Sequence, residues 1–296
     1  MIVKNTLLFG NGLNQLSDNS GPSWNNLLKQ LMGYNEFNHD KLTNTMIYER
    51  IFLDRAKPKL KNELFVKEEI AETMKNITGN EYYSKIINLN FENYITTNYD
   101  YAFDKTIKIS SISDSTENIY SVRRKKMYDH INLWFMHGEI DHPKSIQLGL
   151  DHYCGLIGKI DNYLKGNYEY EYEKTKIKLN KMKDKLEGIS QYDNVSWIEL
   201  FFNTNIHILG LGLDYSEIDL WWILTKRARL KIDYNIDNRI IFYTSRIDEQ
   251  KKGLLQSLKV EVKEINDFEY VEDNKRKTNY HAFYDDVINR ISNFTN

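Results

Sequence analysis

His137, in the stretch "FMHGEID", and Asn98, in "ITTNYD", are the side chains of this sequence best suited to moving or steering a proton. A histidine titrates near neutral pH and can take a proton from water or from a sugar hydroxyl. An asparagine carries a donor and an acceptor on one planar amide, so it can hold such a group in line. Thr97 and Asp100 flank Asn98 in the same polar cluster. Two glycine turns accompany them: Gly10-Asn11-Gly12 in "LLFGNGLNQLS", and Gly210-x-Gly212 in "ILGLGLDYSEID", the latter followed by Asp214 and Asp219. A glycine turn at the end of a strand exposes backbone N–H groups and admits a phosphate where a Cβ would block it. The first turn has Gln15 where the dinucleotide fingerprint has its third glycine, and no acidic residue closes a second strand about 20 residues on. The ordinary dehydrogenase reading therefore fails. Taken singly, each residue has a plain structural role as a satisfied histidine, a turn asparagine or a tight strand-to-helix turn.

Other candidates carry less. His137, His142, Asp151 and His152 could be read as metal ligands, but their spacings match no standard zinc pattern, and an exposed loop explains them more cheaply. Cys154, the only cysteine, is expected as a small packed side chain. Trp221 and Trp222 are expected to pack a helix against the sheet, with a nucleobase border as the alternative. "VRRKK", residues 122–126, is too short for nucleic-acid binding but could meet a phosphate or an acidic partner.

The elements that must position these groups are legible as alternating patterns. Apolar runs "TLLFG", "YITTNY", "LWFMHG", "NIHILGLG" and "RIIFYTS" read as buried strands, and "LKVEVKEI" as a half-exposed edge strand. Helical spacing lies between most of them: Trp24 to Met32 behind the N-cap Ser23, Tyr215 to Leu230, and Arg246 to Leu258. The rhythm predicts one α/β domain over residues 1–296, a Rossmann-like parallel sheet flanked by helices. Residues 34–85 and 151–200 interrupt it and are expected as mostly helical insertions, possible caps over the sheet edge. The second includes "YEYEYEKTKIKLNKMKDKLEG", expected as a long charged amphipathic helix. In such a sheet the carboxyl ends of the strands share one edge, so the four polar or glycine-rich strand ends converge on one crevice.

Composition bounds the partners. Among 296 residues, 41% apolar, 40 basic and 42 acidic residues leave a formal net charge of −2, which argues against a dedicated nucleic-acid binder. A single cysteine excludes a disulfide framework and a cysteine-rich zinc site. The absence of a secretory signal pattern and of a long apolar run points to a cytoplasmic protein that does not span a membrane.

Gly10-x-Gly12 with "PSW" (Pro22 to Trp24), Thr97-Asn98-Tyr99-Asp100, His137-Gly138 and Gly210-x-Gly212 together resemble the sirtuin-like superfamily, in its order and over essentially the whole chain. The closest likeness is to the bacterial branch that hydrolyses NAD in anti-phage defence. The abortive-infection H family is similar in layout. The resemblance implies that Gly10, Asn11 and Gly12 hold the NAD pyrophosphate, and that Asn98 and Asp100, with Thr97, contact the nicotinamide ribose. It further implies that His137 is catalytic alongside Asn98, that Gly210 and Gly212 lie beside the adenosine half, and that Ser245 contacts the adenine ribose. The first loop reads Gly-Asn-Gly-Leu-Asn where the family has Gly-Ala-Gly-x-Ser. The four-cysteine module of the deacylases is missing, so deacylation is not expected and no metal is implied. The activity implied is NAD cleavage to nicotinamide and ADP-ribose in abortive infection, gated by homo-oligomerisation or by a separate defence partner. The alternative is a non-catalytic nucleotide-binding or oligomerisation module.

Overall fold

The structure is a computed structural model that describes residues 3–17, 21–33, 42–55, 63–114, 119–265 and 273–295. In chain order its strands are β1 (Asn5–Phe9), β2 (Asn93–Thr96), β3 (Ile112–Asp114), β4 (Lys125–Tyr128) and β5 (Ile131–Phe135). They continue with β6 (Glu169–Tyr172), β7 (Thr175–Lys178), β8 (Asn205–Leu209), β9 (Ile240–Thr244) and β10 (Val260–Glu264). The helices are α1 (Trp24–Met32), α2 (Asn44–Arg55), α3 (Glu63–Met74), α4 (Glu81–Ile87), α5 (Ala102–Ile107) and α6 (Leu150–Leu164). After them come α7 (Met182–Leu186), α8 (Trp197–Asn203), α9 (Ile218–Asp233), α10 (Glu249–Ser257) and α11 (Asp273–Thr295).

Eight strands form one sheet in the order β10-β9-β8-β1-β2-β5-β4-β3. From β10 to β5 every pairing is parallel. β1 is central, with Leu8 in register with Ile95 on one side and Ile208 on the other. β1, β2 and β8 are buried on both faces, as continuous apolar runs in a helix-covered parallel sheet must be. Alternation divides the core: Leu7 and Phe9 point into one apolar cluster with α1 to α5 and α11, and Leu8 into a second with α6, α8 and α9. The edge strand β10 buries Val260 and keeps charges outward, where Glu261 pairs with Arg239 and Glu264 with Lys252.

The expected Rossmann-like parallel sheet flanked by helices is present, and β3, β4 and β5 add an antiparallel extension to it. β4 arises from "KKMY", the end of the basic run. The charged stretch 168–188 is not one helix but the antiparallel hairpin β6–β7 followed by the short α7. Glu173 and Lys174, at φ 47° and 64°, form a two-residue turn of the kind that joins twisted strands. Tyr170 and Ile177 face each other and are half-buried while their neighbours are exposed, a period of two rather than 3.6. The first insertion is helical in α2, α3 and α4; its residues 34–41 and 56–62 lie outside the described residues.

Candidate active site

The loops after β1, β2, β5, β8 and β9 open on one cleft of about 1130 Å³. It lies outside the carboxyl ends of the strands, where the order turns around β1 and ligands bind in sheets of this type. Asn11, Gly12, Thr97, Asn98, Asp100, His137, Gly210, Gly212 and Ser245 all line it. Gly10 stands behind that lining. Asn44 and Met74 bring the first insertion to the wall, and Tyr280, Phe283 and Tyr284 bring α11.

The two glycine loops are packed on each other. The Gly12 N–H donates to the Gly210 carbonyl at 2.8 Å and the Gly10 N–H to the Leu209 carbonyl at 3.2 Å. A Cβ on Gly12 would meet the Gly210 oxygen at 2.7 Å, and one on Gly10 would meet it at 2.9 Å. Gly210 itself has φ +67°, a left-handed conformation that favours glycine. Gly212 differs, since a Cβ there has nothing within 4 Å. Further along the first turn, the N–H groups of Leu13, Gln15, Leu16 and Ser17 donate to carbonyls of the turn itself. The chain leads into a short 3-10 turn at Asn14–Leu16, and α1 starts only after Ser23, whose hydroxyl accepts from Asn26 N–H.

Asn14 anchors this loop. It is fully buried and ties the turn to the end of β2. Its amide donates to Asp100 Oδ2 at 2.8 Å and to Asn11 Oδ1 at 3.0 Å, and its carbonyl accepts from the Tyr83 hydroxyl at 2.5 Å. Asn98 joins the same network by donating to Tyr83 at 3.5 Å. Asp100 also accepts from the Ala102 N–H at 2.9 Å, which starts α5. Burial raises the Asp100 pKa, opposed by these bonds from Ala102 and Asn14.

His137 follows β5 and is 2% exposed. Its Nε2–H donates to Asp219 Oδ2 at 2.9 Å, and its ring stands edge-on to Tyr153 with centroids 5.1 Å apart. This leaves Nδ1 as the nitrogen not engaged by Asp219. Burial alone would lower the His137 pKa; the charge and hydrogen bond of Asp219, with Glu217 behind, outweigh it and raise the pKa above the ordinary 6.5. Asp219 is fully buried in the first turn of α9, where the helix dipole favours a carboxylate. Glu217, two residues earlier at the N-cap of α9, lines the cleft, and its Oε2 accepts from Asp214 N–H at 2.9 Å. Burial, with Asp219 adding and His137 opposing, pushes its pKa up to about 7. The arrangement is a basic imidazole backed by a buried carboxylate, beside a second carboxyl that titrates near neutrality. It can accept a proton from a bound hydroxyl or water, and the asparagine amide of Asn98 opens on the same space.

The sequence pattern marks Asp219 only as part of a strand-end cluster and does not mark Glu217, Tyr153 or the α11 residues. The acidic pattern Asp214-x-x-Glu217-x-Asp219 at a helix start was the available signal. The other sequence candidates resolve as structural groups. His152 Nδ1 accepts from the N–H groups of Leu148 and Gly149 at 3.1 and 3.0 Å, and its Nε2 donates to Glu63 at 2.6 Å, so it serves to start α6. His137, His142, Asp151 and His152 do not converge, and no metal-holding group of three is found among the described residues. Cys154 is exposed rather than packed. The run at 122–126 is not open to a phosphate: Arg123 and Arg124 are buried, Arg124 lies 3.5 Å from Glu139, and Lys126 pairs with Asp104 at 3.0 Å. Trp221 and Trp222 pack against the second core cluster, and Trp221 donates to the Asp214 carbonyl at 2.9 Å. No helix among the described residues is long and apolar enough to cross a membrane.

No protein-family model matches this chain, and a search of curated proteins finds no match.

Proposed function

We propose that the chain is an NAD glycohydrolase that releases nicotinamide and ADP-ribose. The observation that carries this reading is the meeting of Asn98, the Asp219-backed His137 and both glycine loops around one cleft. Cleavage of the nicotinamide–ribose bond develops positive charge on the sugar, and the leaving ring departs as a neutral base. The protein has only to orient the ribose, favour the cation and deliver water. His137 takes the proton from that water or from a ribose hydroxyl, and Asp219 stabilises the imidazolium formed. Asn98 holds the water or hydroxyl in line, and Asp100 fixes the loop that carries Asn98. Such an activity depletes a shared cofactor, so its restraint by self-assembly or by a separate defence partner belongs to the same proposal.

A second reading, a nucleotide-binding module without turnover, is favoured by one feature. Most amides of the first glycine turn donate within the protein, leaving few for a phosphate. Purified chain incubated with NAD, with nicotinamide release followed by chromatography, tests the first reading. Release by the wild type and a loss of at least about 10²-fold in His137→Ala and in Asn98→Ala are expected. Calorimetric binding of NAD without release supports the module, and no binding at all ends both.

A further inference from the structure

Helix α11 brings Tyr284 to the cleft wall, against the glycine loops. Its ring is held in place, edge-on to Phe283 with centroids 5.2 Å apart and tilted against Tyr82 at 5.8 Å. The helix is itself tied to α4: Lys85 Nζ donates to Asp285 Oδ1 at 2.6 Å, and the Tyr82 hydroxyl donates to the His281 carbonyl at 3.1 Å. What this fixed ring carries to the site is its hydroxyl. A methyl group on Gly12 would lie 2.5 Å from that oxygen, and one on Gly210 would lie 3.3 Å from it. The hydroxyl therefore stands where the two glycine loops meet. The residue is only 4% exposed, yet its hydroxyl has no hydrogen-bond partner among the described residues. A hydroxyl that faces a cleft without a protein partner marks a place for a ligand atom.

We propose that Tyr284 is the side-chain donor to the pyrophosphate of a dinucleotide lying across the glycine loops, in place of the amides that the first turn keeps for itself. The inference rests on the reading of the cleft as a dinucleotide site and adds a positioning residue from α11 to it. Burial raises the pKa of the phenol, so it keeps its proton at neutral pH and can offer it to an anion. Tyr284 meets phosphate oxygens rather than the reacting sugar, so its contribution falls on binding.

ADP-ribose titrated calorimetrically into the full chain, wild type and Tyr284→Phe, with the thermal midpoint of each, tests the proposal. Phenylalanine keeps the packing against Phe283 and Tyr82 and removes one oxygen. The expected result is an affinity about tenfold or more weaker in the variant, the scale of one hydrogen bond to a charged acceptor, with a midpoint unchanged or higher. A lowered midpoint with unchanged affinity identifies a purely structural tyrosine and overturns the proposal. Equal ADP-ribose affinity in the two proteins overturns it as well and leaves the dinucleotide site standing. A wild type that binds no ADP-ribose overturns both.

Discussion

Replacing Asp219 by asparagine removes one charge from the site and almost no volume. In the wild type the carboxylate accepts from His137 Nε2 at 2.9 Å in a fully buried position. With an amide there, the imidazolium loses its counter-charge while its burial remains, so the His137 pKa falls from its raised position. If the amide donates to Nε2, the ring also changes tautomer, and Nδ1 carries the proton instead of the free lone pair. Both effects remove a general base, a contribution of about 10²–10⁴ in rate. At about 1.4 kcal/mol for each factor of ten, that is roughly 3–5 kcal/mol of barrier. Stability responds far less, because His137 can become neutral and leaves no uncompensated charge behind. The desolvation relieved and the attraction lost partly offset each other. The assay is nicotinamide release across pH, together with NMR titration of the His137 ring and a thermal melt. We expect kcat to drop by two to four decades, KM to hold, the ring to titrate below its wild-type value, and the midpoint to move by a few degrees. Wild-type turnover with an unmoved ring titration would refute the assignment of His137 as a base tuned by Asp219.

Three further outcomes follow from the same geometry. Glu217 has a folded pKa of about 7 against its ordinary 4.5, so its stabilising contribution is whole below pH 4.5 and lost as pH rises through about 7. That amounts to about 3 kcal/mol, and urea midpoints across the window should fall more steeply in wild type than in Glu217→Gln; equal slopes would contradict the burial argument. Gly12→Ala should destabilise by about 1–3 kcal/mol because its Cβ meets the Gly210 backbone at 2.7 Å, whereas Gly212→Ala, with open space, should stay within about 0.5 kcal/mol. Equal losses at the two positions would deny the loop-on-loop packing. Asn14→Ala leaves Asp100 Oδ2 without its side-chain donor and the Tyr83 hydroxyl without its acceptor, and should cost about 1–3 kcal/mol in chemical denaturation; a loss under about 0.5 kcal/mol would mean that the network carries little.

The parallel half of the sheet was legible because burial on both faces demands unbroken apolar runs, and "TLLF" or "NIHIL" has no other use. The antiparallel pieces were not. β6 and β7 are short, charged and exposed, and their alternation is lost among lysines and glutamates that also suit a helix surface. β4 hides in "KKMY", where Lys126 reaches inward to Asp104 and sits 3.2 Å from the centre of the Tyr101 ring, a burial that composition cannot announce. At the site, the glycines and the polar strand ends were visible because each follows its strand directly. Glu217 and Tyr284 were not visible, because their approach depends on how the starts and sides of α9 and α11 dock onto loops far away in the chain. The role of Asn14 is set by Tyr83 and Asp100, which only the fold brings to it.

β1 sits at the centre of the sheet, and Asn5 pairs with Asn205. A ribosome must therefore have made some two hundred further residues before this strand gains its second neighbour, and more again before Tyr284 closes over the Gly12 loop. Until then the nascent chain holds an apolar strand with one open edge, a target for chaperones and for misassociation. The wall that α11 lends to the cleft is therefore the last part of it to be made.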